Sequence, residues 1–443
     1  MKTPIFDYVK GYKDSDSVRL HMPGHKGVGA LGCEGLDITE IDGADVLYEP
    51  SGIIAESEEN ATSLFATGHT YYSTEGSSLS IKAMLAIACK TGDTVLAARN
   101  AHKAFLYAAA LLDLSVDWLY PSDASHVCVS QISPDALESA LKDKNEKPSA
   151  VYITSPDYLG NMADIRGLSA VCKRYGVPLL VDNAHGAYLA FLSPSLHPIA
   201  LGATMACDSA HKTLPTLTGG AYLHLSPDAP KAYFSRARQM LSLFSSSSPS
   251  YLILSSLDCT NRHLKEDARN GIAAIKDKLA SLKKELSLQG YCFSGDEPLK
   301  LTLRTASYGY FADEVATYLK ENGIVAEFYD REYLVLMASA QTDGKDLERL
   351  MAALSRLPRK AAFELPTPTL PLPIQKMSIR EALFAEAEVL SLADAIGKVC
   401  AAPALSCPPC VPILVSGEQI TEECIRALRH YGITRVSALK TKS

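Results

Sequence analysis

The stretch Val177-Pro178-Leu179-Leu180-Val181-Asp182 is a short apolar run that ends in a carboxylate. Its length and its content of Val and Leu are typical of a buried strand in a parallel sheet. In α/β sheets, ligands bind outside the carboxyl ends of the strands. The run therefore predicts an α/β fold and places Asp182 at the edge of the sheet where a ligand binds.

A second stretch, Ser209-Ala210-His211-Lys212, lies between an apolar run that ends at Cys207 and the pair Gly219-Gly220. A lysine in such a loop, taken alone, is usually a solvated charge. Next to a strand-end aspartate it meets the needs of pyridoxal phosphate (PLP). The lysine amine forms a Schiff base, and the carboxylate pairs with the pyridinium nitrogen and keeps the ring an electron sink. The two stretches together predict PLP as the cofactor, held by Lys212 and Asp182.

A third segment, Thr74-Glu75-Gly76-Ser77-Ser78, precedes a helix predicted at 79–90. Free backbone N–H groups and the helix dipole favour an anion at a helix N-terminus. Gly76 lets the backbone approach the ligand, while Ser77 and Ser78 add hydroxyl donors. An ordinary serine N-cap gives the same pattern. In combination with the lysine and the aspartate, the segment is interpreted as the phosphate site.

The rest of the chain alternates between strand and helix patterns. Strands are predicted at 70–73, 94–97, 116–119 and 150–154, and helices at 53–66, 134–142 and 168–174. This alternation predicts a mostly parallel sheet with helices on both faces. A long helix at 252–288 leads to strands at 299–304 and 333–337 and helices at 312–321 and 346–354, which predict a small α+β domain.

Five stretches carry a resemblance to a known family, in that family's order and at similar spacing. They are His21-Met-Pro-Gly-His-Lys26, Gly76-Ser-Ser78, Arg99-Asn-Ala-His102, Val181-Asp-Asn-Ala-His-Gly186 and Ser209-Ala-His-Lys212. With them the chain resembles the fold-type I PLP-dependent Orn/Lys/Arg decarboxylases, especially their short bacterial form. The resemblance covers nearly the whole chain, more weakly after residue 361. It implies a transferase-like α/β fold of fold-type I, with an α+β small domain and a C-terminal piece.

Four domains are predicted on this basis. They are an N-terminal arm at 1–50, a PLP-binding major domain at 51–255, a small α+β domain at 256–365 and a C-terminal domain at 366–443, which begins with a proline-rich connector. The resemblance implies that the arm packs across a dimer near the active site, and a surface loop is the alternative. His21 and His25 lie four residues apart, but Pro23-Gly24 breaks the helix that a metal-binding pair of this spacing needs. No metal site is predicted.

The resemblance also implies roles for single residues. His102 stacks on the cofactor ring, Ala184 packs on the opposite face, and His185 approaches the imine or the substrate carboxylate. The serine-rich run 245–249 reaches the phosphate of the neighbouring subunit through Ser247, which makes the protein a homodimer with a shared active site. Composition alone makes this run a flexible linker. The predicted catalytic residues are Lys212, Asp182, His102 and His185, and the predicted cofactor contacts are Gly76, Ser77, Ser78, His102, Asp182, Ala184, Ser209, His211, Lys212 and Ser247.

Composition limits the class of protein. The 443 residues carry a formal net charge of −7, which gives no support for a nucleic-acid partner. No apolar stretch is long enough to span a bilayer, and the N-terminus lacks the apolar region of a signal peptide. The eleven cysteines are interpreted as reduced thiols of a cytoplasmic protein. Cys407-Pro-Pro-Cys410 has no second pair nearby to complete a zinc site.

The expected reaction is decarboxylation of arginine, lysine or ornithine to the amine and CO2, as in polyamine biosynthesis. Three positions depart from the family: Asn183 replaces an acid, Gly219 a glutamine and Ala402 a glutamate. A basic substrate needs an acidic partner, so another acid must replace the missing glutamate. The candidates are Asp37, Glu40, Asp42 and Asp45, which otherwise form a solvated acidic loop. The alternatives are a fold-type I PLP enzyme with another amino-acid substrate, or a non-catalytic paralogue that binds PLP.

Overall fold

The computed structural model describes residues 1–121, 131–365, 371–406 and 411–440. The chain divides into two compact units. The first unit comprises Met1–Cys89 and Cys172–Ile272, and the second comprises Lys90–Val171 and Ala273–Ser443. The four-domain organisation stays a prediction.

The predicted helices and strands lie close to their predicted ranges, except that the helix predicted at 252–288 consists of two α-helices joined by a π-helical segment, Leu264–Ala268, and further elements were not predicted. The helices are α1 (Pro4–Asp14), α2 (Ile53–Phe65), α3 (Ser77–Ala88), α4 (Lys103–Leu112), α5 (Pro134–Lys142), α6 (Ile165–Tyr175), α7 (Ala210–Thr213), α8 (Lys231–Phe244), α9 (Tyr251–His263), α10 (Arg269–Leu288), α11 (Ala312–Glu321), α12 (Gly344–Arg356), α13 (Ile379–Phe384) and α14 (Glu422–His430). The strands are β1 (His69–Ser73), β2 (Thr94–Ala98), β3 (Ser115–Leu119), β4 (Ala150–Thr154), β5 (Leu179–Asp182), β6 (Met205–Asp208), β7 (Ala221–Leu225), β8 (Phe293–Ser294), β9 (Lys300–Arg304), β10 (Phe328–Tyr329), β11 (Tyr333–Met337), β12 (Ala387–Ser391), β13 (Ala404–Ser406), β14 (Val411–Leu414) and β15 (Arg435–Leu439).

The strands of the first unit follow the order β1-β7-β6-β5. β5 and β6 are parallel and wholly buried, and Asp182 pairs in register with Cys207. β7 runs antiparallel to β6 and to β1. α3 packs against β6, β7 and α8, which explains why its residues are almost all apolar or small. Because the parallel strands end together, the residues after β5 and β6 meet at one edge.

The N-terminal segment contains a helix that the sequence pattern does not reveal. α1 buries only Ile5 and Val9, one apolar pair at helical spacing, and packs on α9 and α2. At its N-terminus, the carboxylate of Asp258 accepts the backbone N–H groups of Ile5 at 2.9 Å and Phe6 at 3.0 Å. The helix is therefore anchored by a residue from α9, and this tertiary contact compensates for the weak local pattern.

The second unit contains the parallel strands β4-β2-β3 and an antiparallel sheet of order β10-β11-β9-β8. α11 packs on β11 and contacts α12, as expected for a small α+β domain. The C-terminal segment adds two antiparallel strand pairs, β12-β15 and β13-β14. Its buried residues form one apolar cluster, which includes Ile413, Leu428 and Val436. Among the described residues, no helix combines the length and the apolar character needed to cross a membrane.

Candidate active site

The end of β5 presents a buried carboxylate. Asp182 is 2% exposed, and its Oδ1 accepts the backbone N–H of Ala184 at 3.1 Å. The Sγ of Cys207, on the neighbouring strand, lies 3.7 Å from the same oxygen. Burial raises the pKa of the Cys207 thiol well above its ordinary value, and Asp182 and Asp208 add to the shift. The thiol of Cys207 is therefore neutral and can donate to Asp182.

Lys212 lies four residues beyond β6, in the short helix α7. Its side chain is exposed, and its Nζ lies 3.0 Å from Nε2 of His185. His211 points away from this pair, with its Nδ1 donating to the carbonyl of Gly220 at 3.0 Å. Burial lowers the pKa of His211, and this effect exceeds the opposing one of the Gly220 carbonyl. His211 therefore holds the loop in place, while the exposed Lys212 pairs with the buried imidazole of His185.

The predicted phosphate segment precedes α3, which begins at Ser77 and so two residues before its predicted start. Gly76 is the N-cap residue, with φ of 72° and ψ of 176°, and no side chain caps the helix among the described residues. The backbone N–H of Gly76 donates to the carbonyl of Gly219 at 2.7 Å, and Oγ of Ser209 donates to Oγ of Ser77 at 2.8 Å. The structure thus brings an uncapped helix N-terminus to the loop that carries Lys212.

Two departures from the family pattern have local explanations. Gly219 adopts φ of 99°, and a Cβ added there would lie 2.8 Å from the carbonyl oxygen of Thr74, so a glutamine does not fit. Asn183 donates through Nδ2 to Oδ1 of Asp208 at 2.7 Å, so an acid there would face a second carboxylate. Ala402 belongs to the second unit, and its carbonyl accepts from the thiol of Cys400.

The serine-rich run 245–249 lies in the first unit, between α8 and α9. The backbone N–H of Ser246 donates to Oε1 of Glu75 at 2.7 Å, which places the run beside segment 74–78 of its own chain. Ser247 is exposed. Its contact with the phosphate of a neighbouring subunit stays a prediction.

His102 belongs to the second unit and is the N-cap residue of α4, where its Nδ1 accepts the backbone N–H of Ala104 at 3.2 Å. The preceding residues are buried. Arg99 pairs with Glu418, while both amide atoms of Asn100 are buried without a hydrogen-bond partner in the part of the chain that the structure describes. The stacking role of His102 stays a prediction, as do the roles of Ala184 and Ser78, both half-buried in the first unit.

The four acidic candidates for a substrate cation differ in their partners. Asp45 caps the N-terminus of α2, accepting the N–H groups of Gly52 and Ile54 at 2.9 Å. Burial raises the pKa of Asp45, but these and neighbouring N–H groups outweigh it and lower the pKa below its ordinary value. Asp37 pairs with His25 at 3.1 Å, and Asp42 is exposed. Glu40 is also exposed, although partial burial raises the pKa of its carboxyl, and neither Glu40 nor Asp42 forms an ion pair among the described residues, so both stay candidates for the cation.

Sequence reasoning missed three buried residues beside the site: His197, Asp208 and His224, whose ligand atoms all lie within 4.8 Å of one another. Asp208 could have been found, because it is a strand-end acid directly before Ser209. No spacing pattern reveals His197 or His224, which reach Asp208 from a loop and from β7. Cys407 and Cys410 lie outside the described residues, as does most of the proline-rich connector.

Comparisons with known proteins agree with this geometry. Residues 3–294 match the family model "Orn/Lys/Arg decarboxylase, major domain". The arginine decarboxylase of Bacillus subtilis is 28% identical, over 96% of this chain and 92% of that protein. The arginine decarboxylase of Halalkalibacterium halodurans is 29% identical, over 97% of this chain and 93% of that protein.

Solved structures extend the similarity to the fold. The Francisella novicida lysine decarboxylase LdcF superposes with a TM-score of 0.84 at 17% identity, over 99% of this chain and 81% of that chain. The constitutive lysine decarboxylase of Escherichia coli gives 0.80 at 19% identity, over 99% and 82%. The predicted fold class and the family resemblance are confirmed.

Proposed function

The chain belongs to the Orn/Lys/Arg decarboxylase family, and from this premise we propose that it removes CO2 from a basic amino acid, arginine first, with PLP held by Lys212. The observation that carries the proposal is the pair formed by Lys212 and His185, 3.0 Å apart beside the strand end that presents Asp182. The expectation that the chain is a decarboxylase is confirmed by its family.

The residues present fit PLP. Lys212 offers an accessible amine, and Asp182 offers a buried carboxylate for the ring nitrogen. The N-terminus of α3, where Gly76 leaves room and no side chain caps the helix among the described residues, suits the phosphate. When bound, PLP supplies an electron sink for the bond to the departing carboxylate. Ser209 supports this arrangement, because its hydroxyl joins the lysine loop to Ser77 of the phosphate segment.

The protein's own groups have distinct tasks. Asp182 lies in a buried position, where its carboxylate would act strongly on the cationic ring nitrogen of PLP. His185 lies within hydrogen-bond distance of Lys212 Nζ, so it can hold or move a proton at that atom. Glu40 supplies the counter-charge for the substrate's basic end, in place of the glutamate that Ala402 replaces. Arginine is favoured because several curated relatives that span nearly the whole chain, though not all of them, are named arginine decarboxylases.

The test measures cofactor attachment and CO2 release separately. The purified protein should be yellow, borohydride should fix PLP on the peptide that contains Lys212, and CO2 should be released fastest from arginine among arginine, lysine and ornithine. A label on another lysine contradicts the assignment of Lys212. PLP on Lys212 without CO2 release from any of the three favours the alternative enzyme with another amino-acid substrate.

We also propose that the chain forms a homodimer with a shared active site. The arm supports this, because Leu20 is 90% exposed and Leu31 85% exposed, and Val18 and Val28 are almost as open. A second copy would remove this apolar surface from water. Sedimentation of the protein should give twice the mass of the chain, and Leu20→Asp with Leu31→Asp should weaken the dimer. The cytoplasmic location and the place in polyamine biosynthesis stay predictions.

A further inference from the structure

Asp208, the last residue of β6, is the centre of a buried hydrogen-bond network in the first unit. Its Oδ1 accepts Nδ2 of Asn183 at 2.7 Å. Its Oδ2 lies 3.1 Å from Nε2 of His197 and 3.2 Å from Nε2 of His224. All four side chains are at most 1% exposed. One carboxylate thus joins β5, β6, β7 and the loop that precedes β6.

The same three residues could be read as metal ligands, but their outer contacts favour hydrogen bonds. Nδ1 of His197 accepts the backbone N–H of Ile199 at 3.3 Å, so the proton of this imidazole is on Nε2. A metal-binding histidine normally donates from its second nitrogen instead. Nδ1 of His224 lies 2.9 Å from Oγ1 of Thr70, a hydroxyl that can donate. Both imidazoles can therefore donate to Asp208 through Nε2.

The carboxylate at the centre of this network is ionised. Burial raises the pKa of Asp208, but His197 and His224 outweigh burial and hold the pKa well below its ordinary value. Burial also lowers the pKa of His224, which keeps that imidazole neutral. The network therefore keeps a negative charge in the interior, stabilised by the two imidazoles and by the amide of Asn183.

The network acts at the two strand ends that carry the proposed chemistry. Asn183 directly follows Asp182, and Asp208 directly precedes the loop of Lys212. The backbone N–H of Asn183 continues the ladder to the carbonyl of Cys207 at 2.9 Å. Asn183 is the first residue after β5, and Asp208 is the last residue of β6. The hydrogen bond between their side chains therefore joins the two strand ends. A change in that bond moves Asp182 and the lysine loop relative to each other.

We propose that Asp208, together with Asn183, is a positioning residue that fixes Asp182 and Lys212 relative to the cofactor and sets the electrostatic field at their edge of the sheet. This inference rests on the proposed function, because it assigns Lys212 and Asp182 to PLP. It predicts that one carboxylate paired with one amide at residues 183 and 208 is needed for the normal properties of the bound cofactor as well as for the stability of the fold.

Three variants test the role of the network. Asn183→Asp sets a second carboxylate against Asp208, Asp208→Asn removes the charge, and the double variant moves the charge to residue 183 while one carboxylate still faces one amide. Each single variant should keep PLP on Lys212 and lose about tenfold in kcat, with KM changed by less than about twofold. Without substrate, the visible absorbance of bound PLP changes with pH, and each single variant should also shift the midpoint of that change. The double variant should recover most of both losses, since it restores the pairing.

Asn161→Asp is the matched control. Asn161 donates through Nδ2 to the buried carboxylate of Asp157 at 2.7 Å in the second unit, the same chemistry as in the network. This variant should lower the melting temperature without moving the absorbance midpoint. If the single variants at 183 and 208 do no more than this control, the network is merely structural and the proposal is wrong. Failure of the double variant to recover the midpoint also contradicts it.

Two further outcomes separate this proposal from the proposed function. If a single variant does not fold, Asn183→Ala, which leaves both imidazoles on Asp208, takes its place with the same expected shift. A wild type that binds PLP on Lys212 but releases no CO2 from the three basic amino acids overturns the proposed function alone, because the absorbance midpoint still reports on Asp208. A wild type without PLP on Lys212 overturns both.

Discussion

Each unit buries a carboxylate, and the two carboxylates are stabilised by different partners. In the first unit, Asp208 is surrounded by amide and imidazole donors. In the second unit, Glu418 accepts hydrogen bonds from both terminal nitrogens of Arg99, at 2.6 and 2.9 Å, and from the backbone N–H of Val415. Arg99 also lies over the ring of Trp118.

The difference corresponds to two roles. Asp208 is proposed to act on the cofactor site, whereas Glu418 links two segments of the chain. Under the proposal above, the Asp208 carboxylate, held by an amide and two imidazoles, carries a charge that acts on groups beyond its own contacts. A guanidinium and a carboxylate in a fork largely cancel each other's field, but they give a directional link between two chain segments. Arg99 and Glu418 are 319 residues apart in sequence, and their link holds the C-terminal segment to the end of β2.

The largest effect on turnover is expected from Asp182, at the strand end that is proposed to bind the cofactor. Asp182→Asn keeps the shape of the side chain but removes its charge, so the variant should bind PLP yet lose on the order of a thousandfold in kcat. Steady-state kinetics at saturating PLP measure this. Near-normal turnover would place the important charge elsewhere and would end the contrast between the two units.

Breaking the ion pair of the second unit should affect stability first. Glu418→Ala leaves the Arg99 guanidinium buried without its partner, which should lower the free energy of unfolding by about 3–5 kcal/mol. The double variant Arg99→Met with Glu418→Leu should lie closer to the wild type than either single change, because apolar residues need no partner there. Urea unfolding of the cofactor-free protein measures both.

A surface ion pair of the same unit is the control. Lys440 and Glu386 are 3.4 Å apart and well exposed, so Glu386→Ala should leave the unfolding curve unchanged. Equal losses from the buried and the exposed pair would show that Arg99 and Glu418 are not a special link.

A smaller effect is expected at the proposed substrate acid. Glu40→Gln should raise the KM for arginine about tenfold and leave kcat nearly unchanged, because it removes binding that the ground state and the transition state share. Asp42→Asn is the matched control, since Asp42 is an acid of the same loop and is exposed like Glu40. A larger change in the Asp42 variant would assign the cation to that residue instead.

The smallest effect concerns stability against pH. Burial raises the pKa of Asp258 to about 6, although Ser57 and the N–H groups of Phe6 and Ile5 oppose it, and burial likewise raises the pKa of Asp157 to about 6. An acid with a raised pKa stabilises the fold fully below its ordinary value, and that contribution is lost as the pH rises through 6.

The free energy of unfolding should therefore fall between pH 4 and pH 7 by on the order of 1 kcal/mol less in Asp258→Asn than in the wild type. Urea unfolding of the cofactor-free protein at several pH values measures the difference. A steeper fall in the variant would reverse the sign assigned to Asp258.

The sequence alone was sufficient for the elements whose information is local. The apolar run of β5 predicts both a buried strand and the position of Asp182 at its end, because the pattern of a strand is contained in a few consecutive residues. Gly76 and the serines after it predict the start of α3 to within two residues. Lys212 stands in a short motif that the sequence identifies together with the strand-end Asp182.

Only the tertiary structure showed the groups that support these residues. α1 has one apolar pair and needs Asp258 of α9, Asp208 needs His197 and His224, and Arg99 needs Glu418. The reasons for Asn183 and Gly219 likewise lie in Asp208 and Thr74. Burying a polar group is favourable only where a partner meets it, and the meeting point is set by where strands and helices cross in space. No pattern along the chain records that crossing, because the partners come from separate elements of the fold.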